Sequence, residues 1–157
     1  IVHMDLISVR PSHLRIDFSA SLGIYLGALA MNERELVMVL MPQKTVYKGK
    51  PNSASITQVT PLPFNPRRLI NILFEFEPES SDWSCTRDKN DFLKECTVGQ
   101  GQWKITWSNR QGSRRTVNIS GKQHMIQLDL GGFDPQVETT DQTFQLTTPA
   151  GFVVKSL

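Results

Sequence analysis

The chain is 157 residues long and carries 17 Lys and Arg against 15 Asp and Glu, a net charge of +2 at pH 7. That length suits one domain able to bury about 70% of its unfolded surface, and the near balance of charge excludes the dense positive surface that a nucleic-acid backbone requires. The longest apolar stretch, Leu22 to Met31, is about half of the roughly 20 residues that a membrane-spanning helix needs, and Asn32-Glu33-Arg34-Glu35 cuts it off.

Ile1-Val2-His3-Met4-Asp5-Leu6 reads as a strand already under way, as in the body of a longer precursor whose export signal or lipid-anchoring cysteine lies outside these residues. Strands are expected at about 1 to 9, 13 to 20, 24 to 31, 35 to 41 and 44 to 48, punctuated by Pro11, Asn32-Glu33, Pro42 and Gly49. His13 to Ser19 alternates strictly between apolar and polar, the pattern of a sheet with one face covered. The turn after it, Ser-Ala-Ser-Leu-Gly, is unusual because Leu22 stands beside Gly23 where a polar residue is expected. Leu36 to Met41 is apolar on both faces and suits a strand covered on both, and Met31, Met38 and Met41 would suit either an adaptable apolar pocket or a filled core.

A proline-containing connection, 50 to 64, leads to Asn65-Pro66, a helix start with Asn as N-cap and Pro at the first helical position. Leu69, Ile72, Leu73 and Phe76 follow at i, i+3, i+4 and i+7, so the helix from Asn65 to Phe76 has one apolar face. Strands return at about 82 to 87, 92 to 98, 102 to 108, 114 to 120, 124 to 130, 143 to 147 and 151 to 155. Trp103, Ile105 and Trp107 share a face that Val117 and Ile119 answer across the next turn and that Ile126, Leu128 and Leu130 continue. Cys85 and Cys96 bracket a polar loop and are either a hairpin disulfide or two reduced thiols; with no His pair nearby they make no zinc ligand set.

An antiparallel sheet of about ten strands curls rather than staying flat. The expected fold is therefore mainly β, of the α+β class: one domain over 1–157, an unclosed antiparallel barrel with a helical lid. Its inner face would be lined by Leu14, Ile16, Phe18, Trp103, Trp107, Ile126 and Leu128, or by their alternating neighbours, with the helix face over it.

No nucleophile elbow, zinc-protease motif, phosphate-binding loop or dinucleotide fingerprint occurs, and His3, His13 and His124 are scattered. The expectation is a protein that is not an enzyme and holds neither metal nor cofactor. Arg110, Arg114 and Arg115 cluster at one hairpin tip, which is either a solvated turn or a contact for anionic headgroups.

The order of "LRIDFSASLG", two apolar strands, "YKG", "PLPFNPRRLINILF" and "GQWKITWSNRQGSRRTVNIS" resembles the LolB family of outer-membrane lipoprotein receptors and the related LolA family of periplasmic carriers, over most of the chain. The matching positions are Ser21-Leu22-Gly23 for a Pro-Leu-Gly turn, Pro61-Leu62-Pro63-Phe64 for the residues opening a helix, and Trp103-Lys104-Ile105 for a later strand; Ser21 stands where the family turn has proline. The resemblance implies an apolar cavity for lipoprotein acyl chains or phospholipid, and a projecting leucine, here Leu22 next to Gly23, that enters the membrane. The other fate of Leu22 is to fold back onto the barrel. Two features resemble the carriers: Arg10-Pro11, whose arginine would gate the lid, and the closing pattern of Phe144, Leu146, Pro149, Gly151 and Val154. The implied protein is a monomer on the periplasmic side of the bacterial outer membrane, lipid-anchored through a residue outside this chain and supplied by a periplasmic carrier. An envelope-assembly or protein-interaction module on the same fold is the alternative.

Overall fold

The computed structural model describes residues 2–52, 55, 66–77 and 81–157, and the chain divides into two compact units, Ile1–Ile70 with Val137–Leu157 and Asn71–Gln136. The first unit holds strands β1 (Val2–Val9), β2 (His13–Ala20), β3 (Tyr25–Met31), β4 (Leu36–Leu40), β5 (Thr45–Gly49) and, from the far end of the sequence, β11 (Val153–Ser156). They lie side by side in the order β1-β2-β3-β4-β5-β11, antiparallel except for the parallel pair β5 and β11.

Register gathers the largest apolar side chains on one face. Leu14 pairs with Met31 and Met31 with Leu36, while Ile16 pairs with Leu29 and Leu29 with Met38. Leu14, Met31 and Leu36 are fully buried, each contributing about 1.5–3 kcal/mol through removal from water. The opposite face carries Val37, Val39 and Val46, on which Leu146 and Phe152 of the returning C-terminal segment pack. That segment is pinned further along by Phe144, whose ring stands edge-on to His13 at 5.1 Å, and by Arg15, which donates to the Thr143 carbonyl. Strand β4 is thus covered on both faces, which is why its sequence is apolar at successive positions. At Gly27 a Cβ would lie 2.0 Å from the Val39 carbonyl oxygen, so only glycine lets β3 and β4 approach this closely.

The second unit holds β6 (Trp83–Arg87), β7 (Leu93–Val98), β8 (Trp103–Gln111), β9 (Arg114–Gly121) and β10 (Met125–Leu130), a five-stranded antiparallel sheet in the order β10-β9-β8-β7-β6. Trp107 pairs with Val117 and Ile105 with Ile119, and these continue to Leu128 and Ile126 on β10. The face opposite carries Thr97, Lys104, Thr106, Asn118, Gln127 and Asp129, with Met125 exposed at its margin, the largely polar character that a wet face has. On that wet face hydrogen bonds from Gln127 and Thr116 hold the Asp129 carboxyl below its ordinary range.

Helix α1 (Pro66–Phe74) begins with proline at its first position, and Asn65, its expected cap, lies outside the described residues, as do Pro61 to Phe64. Leu69, Ile70, Ile72 and Leu73 are buried. The helix closes with Glu75 in the left-handed region at φ 58°, its N–H donating to the Ile72 carbonyl while the Phe76 N–H donates to Asn71. The Ile72 carbonyl also accepts from Trp107 Nε1 of β8 at 3.1 Å, and the Leu73 carbonyl accepts from Arg115 of β9. Glycine is the usual residue at such a position. Here the carboxylate explains the exception, because Glu75 forms ion pairs with both Arg110 and Arg115.

Four expectations need correction. The strands do not form the one curled sheet of about ten expected but two separate sheets, of six and five strands, neither closed into a barrel, because β5 takes β11 as its neighbour instead of continuing toward β6. Phe76 lies past the helix end and is 43% exposed, whereas Ile70 is buried in its place. Residues 143 to 147 are not a strand: Asp141–Phe144 is a 3-10 turn closed by a Thr140/Thr143 capping box. Arg110 and Arg115 are not free headgroup contacts, since both engage Glu75 and Arg110 also lies over the Phe92 ring at 4.2 Å.

Cys85 and Cys96 face each other across β6 and β7 and are joined as a disulfide. Closing a loop with a sequence separation of 11 stabilises the folded chain by about 3 kcal/mol. Reduction should therefore lower the urea-unfolding free energy by about that amount, and peptide mapping without reductant should recover the cross-linked pair. Two alkylatable thiols in protein from an oxidising compartment would contradict this.

Candidate functional site

The connection between β2 and β3 is a single 3-10 turn, Ser21–Gly23, closed by the Ala20 N–H donating to the Ile24 carbonyl at 2.8 Å. Leu22 within it is 98% exposed. Its backbone is left-handed, φ 68° and ψ 16°, and Gly23 follows at φ 74°. Six non-glycine residues among those described have positive φ, and Leu22 is the one apolar member; the others are Lys44, Glu75, Asp91, Gln100 and Asn109. A bulky side chain in this region costs of order 1 kcal/mol or more. Among the described residues no contact offsets that cost at Leu22, whose side chain is almost wholly in solvent. It does not fold back onto the sheet.

The surroundings of the turn extend its apolar character. Ile24 is 61% exposed and Tyr25 is exposed beside it. A register shift between Phe18 and Ser19 leaves Leu26 unpaired with β2 and sets Tyr25 opposite Ser19, the local twist that a bulge produces. Tyr25 consequently reaches back along the sheet, its hydroxyl donating to Asp17 Oδ1 at 3.2 Å, and Asp17 in turn accepts from Arg15 Nε at 2.7 Å. Partial burial, then the neighbouring carboxylate, raise the Tyr25 phenol above its ordinary value. The Asp17 carboxylate likewise raises the Arg15 guanidinium by accepting its hydrogen bonds.

The residues expected to line a cavity divide between the two units. In the first, Leu14, Ile16 and Leu69 are buried and Phe18 is half-buried; in the second, Ile72, Leu73 and Trp107 are buried and Trp103, Ile126 and Leu128 half-buried. Trp103 is stacked on His124 at 6.5 Å. Two surface clefts of mixed lining lie elsewhere. One, of about 500 Å³ at the far end of the first sheet, is lined by Arg34, Glu35, Lys48, Lys50, Asn52 and Ser55 among others. The second, of about 540 Å³, is lined by residues including Asp82, Thr97, Gln100 and Gln102. Neither cleft contains a residue of the expected lining set.

Arg10 lies in the turn between β1 and β2, exposed, with a cis bond to Pro11, at the end of the sheet opposite Leu22. Among the described residues no group of three or more His, Cys, Asp or Glu could hold a metal ion, and no helix is long and apolar enough to cross a membrane. The sequence alone gave no sign of the Glu75, Arg110 and Arg115 cluster, since only the helix end brings Glu75 to β8 and β9. Burial lowers the Arg115 guanidinium from its ordinary value, against the opposing pull of Glu75.

Compared with models of known protein families and with curated protein sequences, the chain gives no match.

The strain at Leu22 has a direct test. Leu22→Gly should leave unfolding free energy within about 0.5 kcal/mol, since relief of the left-handed backbone and the added freedom of the unfolded chain oppose each other. Leu22→Val should cost about 1 kcal/mol although the site is exposed, because β-branching is poorly tolerated at positive φ. Equal stability of all three proteins in urea would show that the turn does not hold this conformation.

Proposed function

We propose that this chain is an envelope lipid-transfer protein of the LolA/LolB kind, which takes up lipoprotein acyl chains and delivers them into the bacterial outer membrane through the leucine-tipped turn. The observation that carries the reading is Leu22 itself, 98% exposed and held in left-handed backbone, at the position that resembles the membrane-entering leucine of those families. An apolar side chain kept in water at a conformational cost has its use outside the fold.

Other features support the same reading. The second sheet has one apolar and one largely polar face, the patterning that the staves of an unclosed barrel need, and that architecture with its helical lid stays part of the proposal. Burial of acyl chains is favourable by about 0.8 kcal/mol per methylene and needs no covalent step, in keeping with the expectation that the protein is not an enzyme and uses no cofactor. The Cys85–Cys96 disulfide is of the type that forms in the periplasm and other oxidising compartments. Periplasmic placement, anchoring outside this chain, monomeric state, supply by a periplasmic carrier and lid gating by Arg10 belong to the same proposal.

The alternative, an envelope-assembly or interaction module, draws on one observation. Leu14, Ile16, Ile72, Leu73 and Trp107 are already buried, as they would be if the protein filled its own core and admitted no lipid.

Leu22→Glu separates stability from delivery. Melting should stay within about 0.5 kcal/mol of the parent, because the side chain touches almost nothing. Insertion of an acylated peptide into vesicles should fall by about two orders of magnitude, the loss of a leucine's worth of hydrocarbon contact and more. Unimpaired insertion would contradict the proposal.

A further inference from the structure

The first sheet is chemically polarised along its strands. At one end lie the start of β1, the β2–β3 turn, the β4–β5 turn and the start of β11, brought together by pairings that include Val2 with Ala20, Gly27 with Leu40 and Val153 with Thr45. Large apolar side chains are exposed on these elements: Val2, Leu22, Ile24, Tyr25, Met41 and Val153. Backbone bonds tie the pieces to one another, from the Met41 N–H to Leu26 and from the Val153 N–H to Lys44. Among the described residues of these turns Lys44 is the one charged side chain. The opposite end, with Arg10, Glu33, Arg34, Glu35, Lys48 and Lys50, is rich in charge and has Val9 as an exposed apolar side chain.

We propose that this whole apolar end of the first sheet, and not Leu22 alone, is the surface that enters the bilayer, and that hydrocarbon contact drives its entry without anionic headgroups. The inference rests on the lipid-transfer reading and names the partner of that site. Three observations favour a bilayer over a protein partner. Leu22 projects from a convex turn, which fluid hydrocarbon accommodates without a matching concavity. The apolar side chains come from five strands or turns and end together. Tyr25, with its ring exposed and its hydroxyl turned back to Asp17, has the arrangement of an aromatic side chain at a membrane–water boundary. The scarcity of cations at this end leaves little for an anionic surface to attract.

Co-sedimentation with vesicles of phosphatidylcholine alone, and of phosphatidylcholine and phosphatidylglycerol in equal parts, tests this at low and high salt. The parent should bind both compositions alike and keep its binding in high salt. Met41→Glu and Val153→Glu, each confirmed by an unchanged melt, should each weaken binding by about fivefold or more; if either melts early, the serine variant at that position takes its place. Two results would overturn the inference and leave the lipid-transfer reading standing: Leu22→Glu abolishing binding while Met41 and Val153 variants bind like the parent, or binding that requires phosphatidylglycerol and vanishes with salt. A parent that binds neither vesicle would overturn the reading itself.

Discussion

In both sheets a slip of one residue in register would carry every apolar side chain of a strand into water, and that penalty settles where the turns fall. On β2 the positions at stake are Leu14 and Ile16, both buried against β3 partners. With those rungs held, the chain leaves the sheet at Ala20 and re-enters at Tyr25, and the short span between them closes through a single hydrogen bond. Leu22 is therefore outside the sheet because Leu14 and Ile16 are inside it.

Two left-handed residues show how differently a strained backbone can be justified. At Glu75 the position ends helix α1, and the side chain that glycine would lack brings Arg110 and Arg115 to the helix terminus. The reason for the residue lies inside the fold. At Leu22 the side chain meets solvent on nearly every side, so folding stability supplies no reason for leucine. The proposed entry into a bilayer would supply one, and Ile24, Tyr25, Met41 and Val153 are exposed at the same end of the sheet.

Much of this was legible in the residues. Alternation placed β2 at His13–Ala20 and the face of Trp103, Ile105 and Trp107 opposite Val117 and Ile119, because period-two burial is a local pattern. The odd placement of Leu22 beside Gly23 was visible too. The division into two sheets was not, since it depends on β11 returning to pair with β5 across more than a hundred residues, and no local pattern encodes a partner so distant. Nor could spacing tell Ile70 from Phe76 on the helix: a periodic stripe says which side is apolar, not where a left-handed Glu75 ends the turn. The ionic cluster at the end of α1 has the same origin: Arg110 and Arg115 share a hairpin, but only tertiary structure brings Glu75 to them.

Lipid uptake is the claim from which the rest of the functional account follows, and native mass spectrometry of protein purified from a bacterial host addresses it most directly. The account predicts a population carrying phospholipid or an acylated peptide, or an apo protein that gains such mass after incubation with lipid vesicles. A single apo mass unchanged by vesicles would contradict it and favour an interaction module whose core is filled by its own side chains.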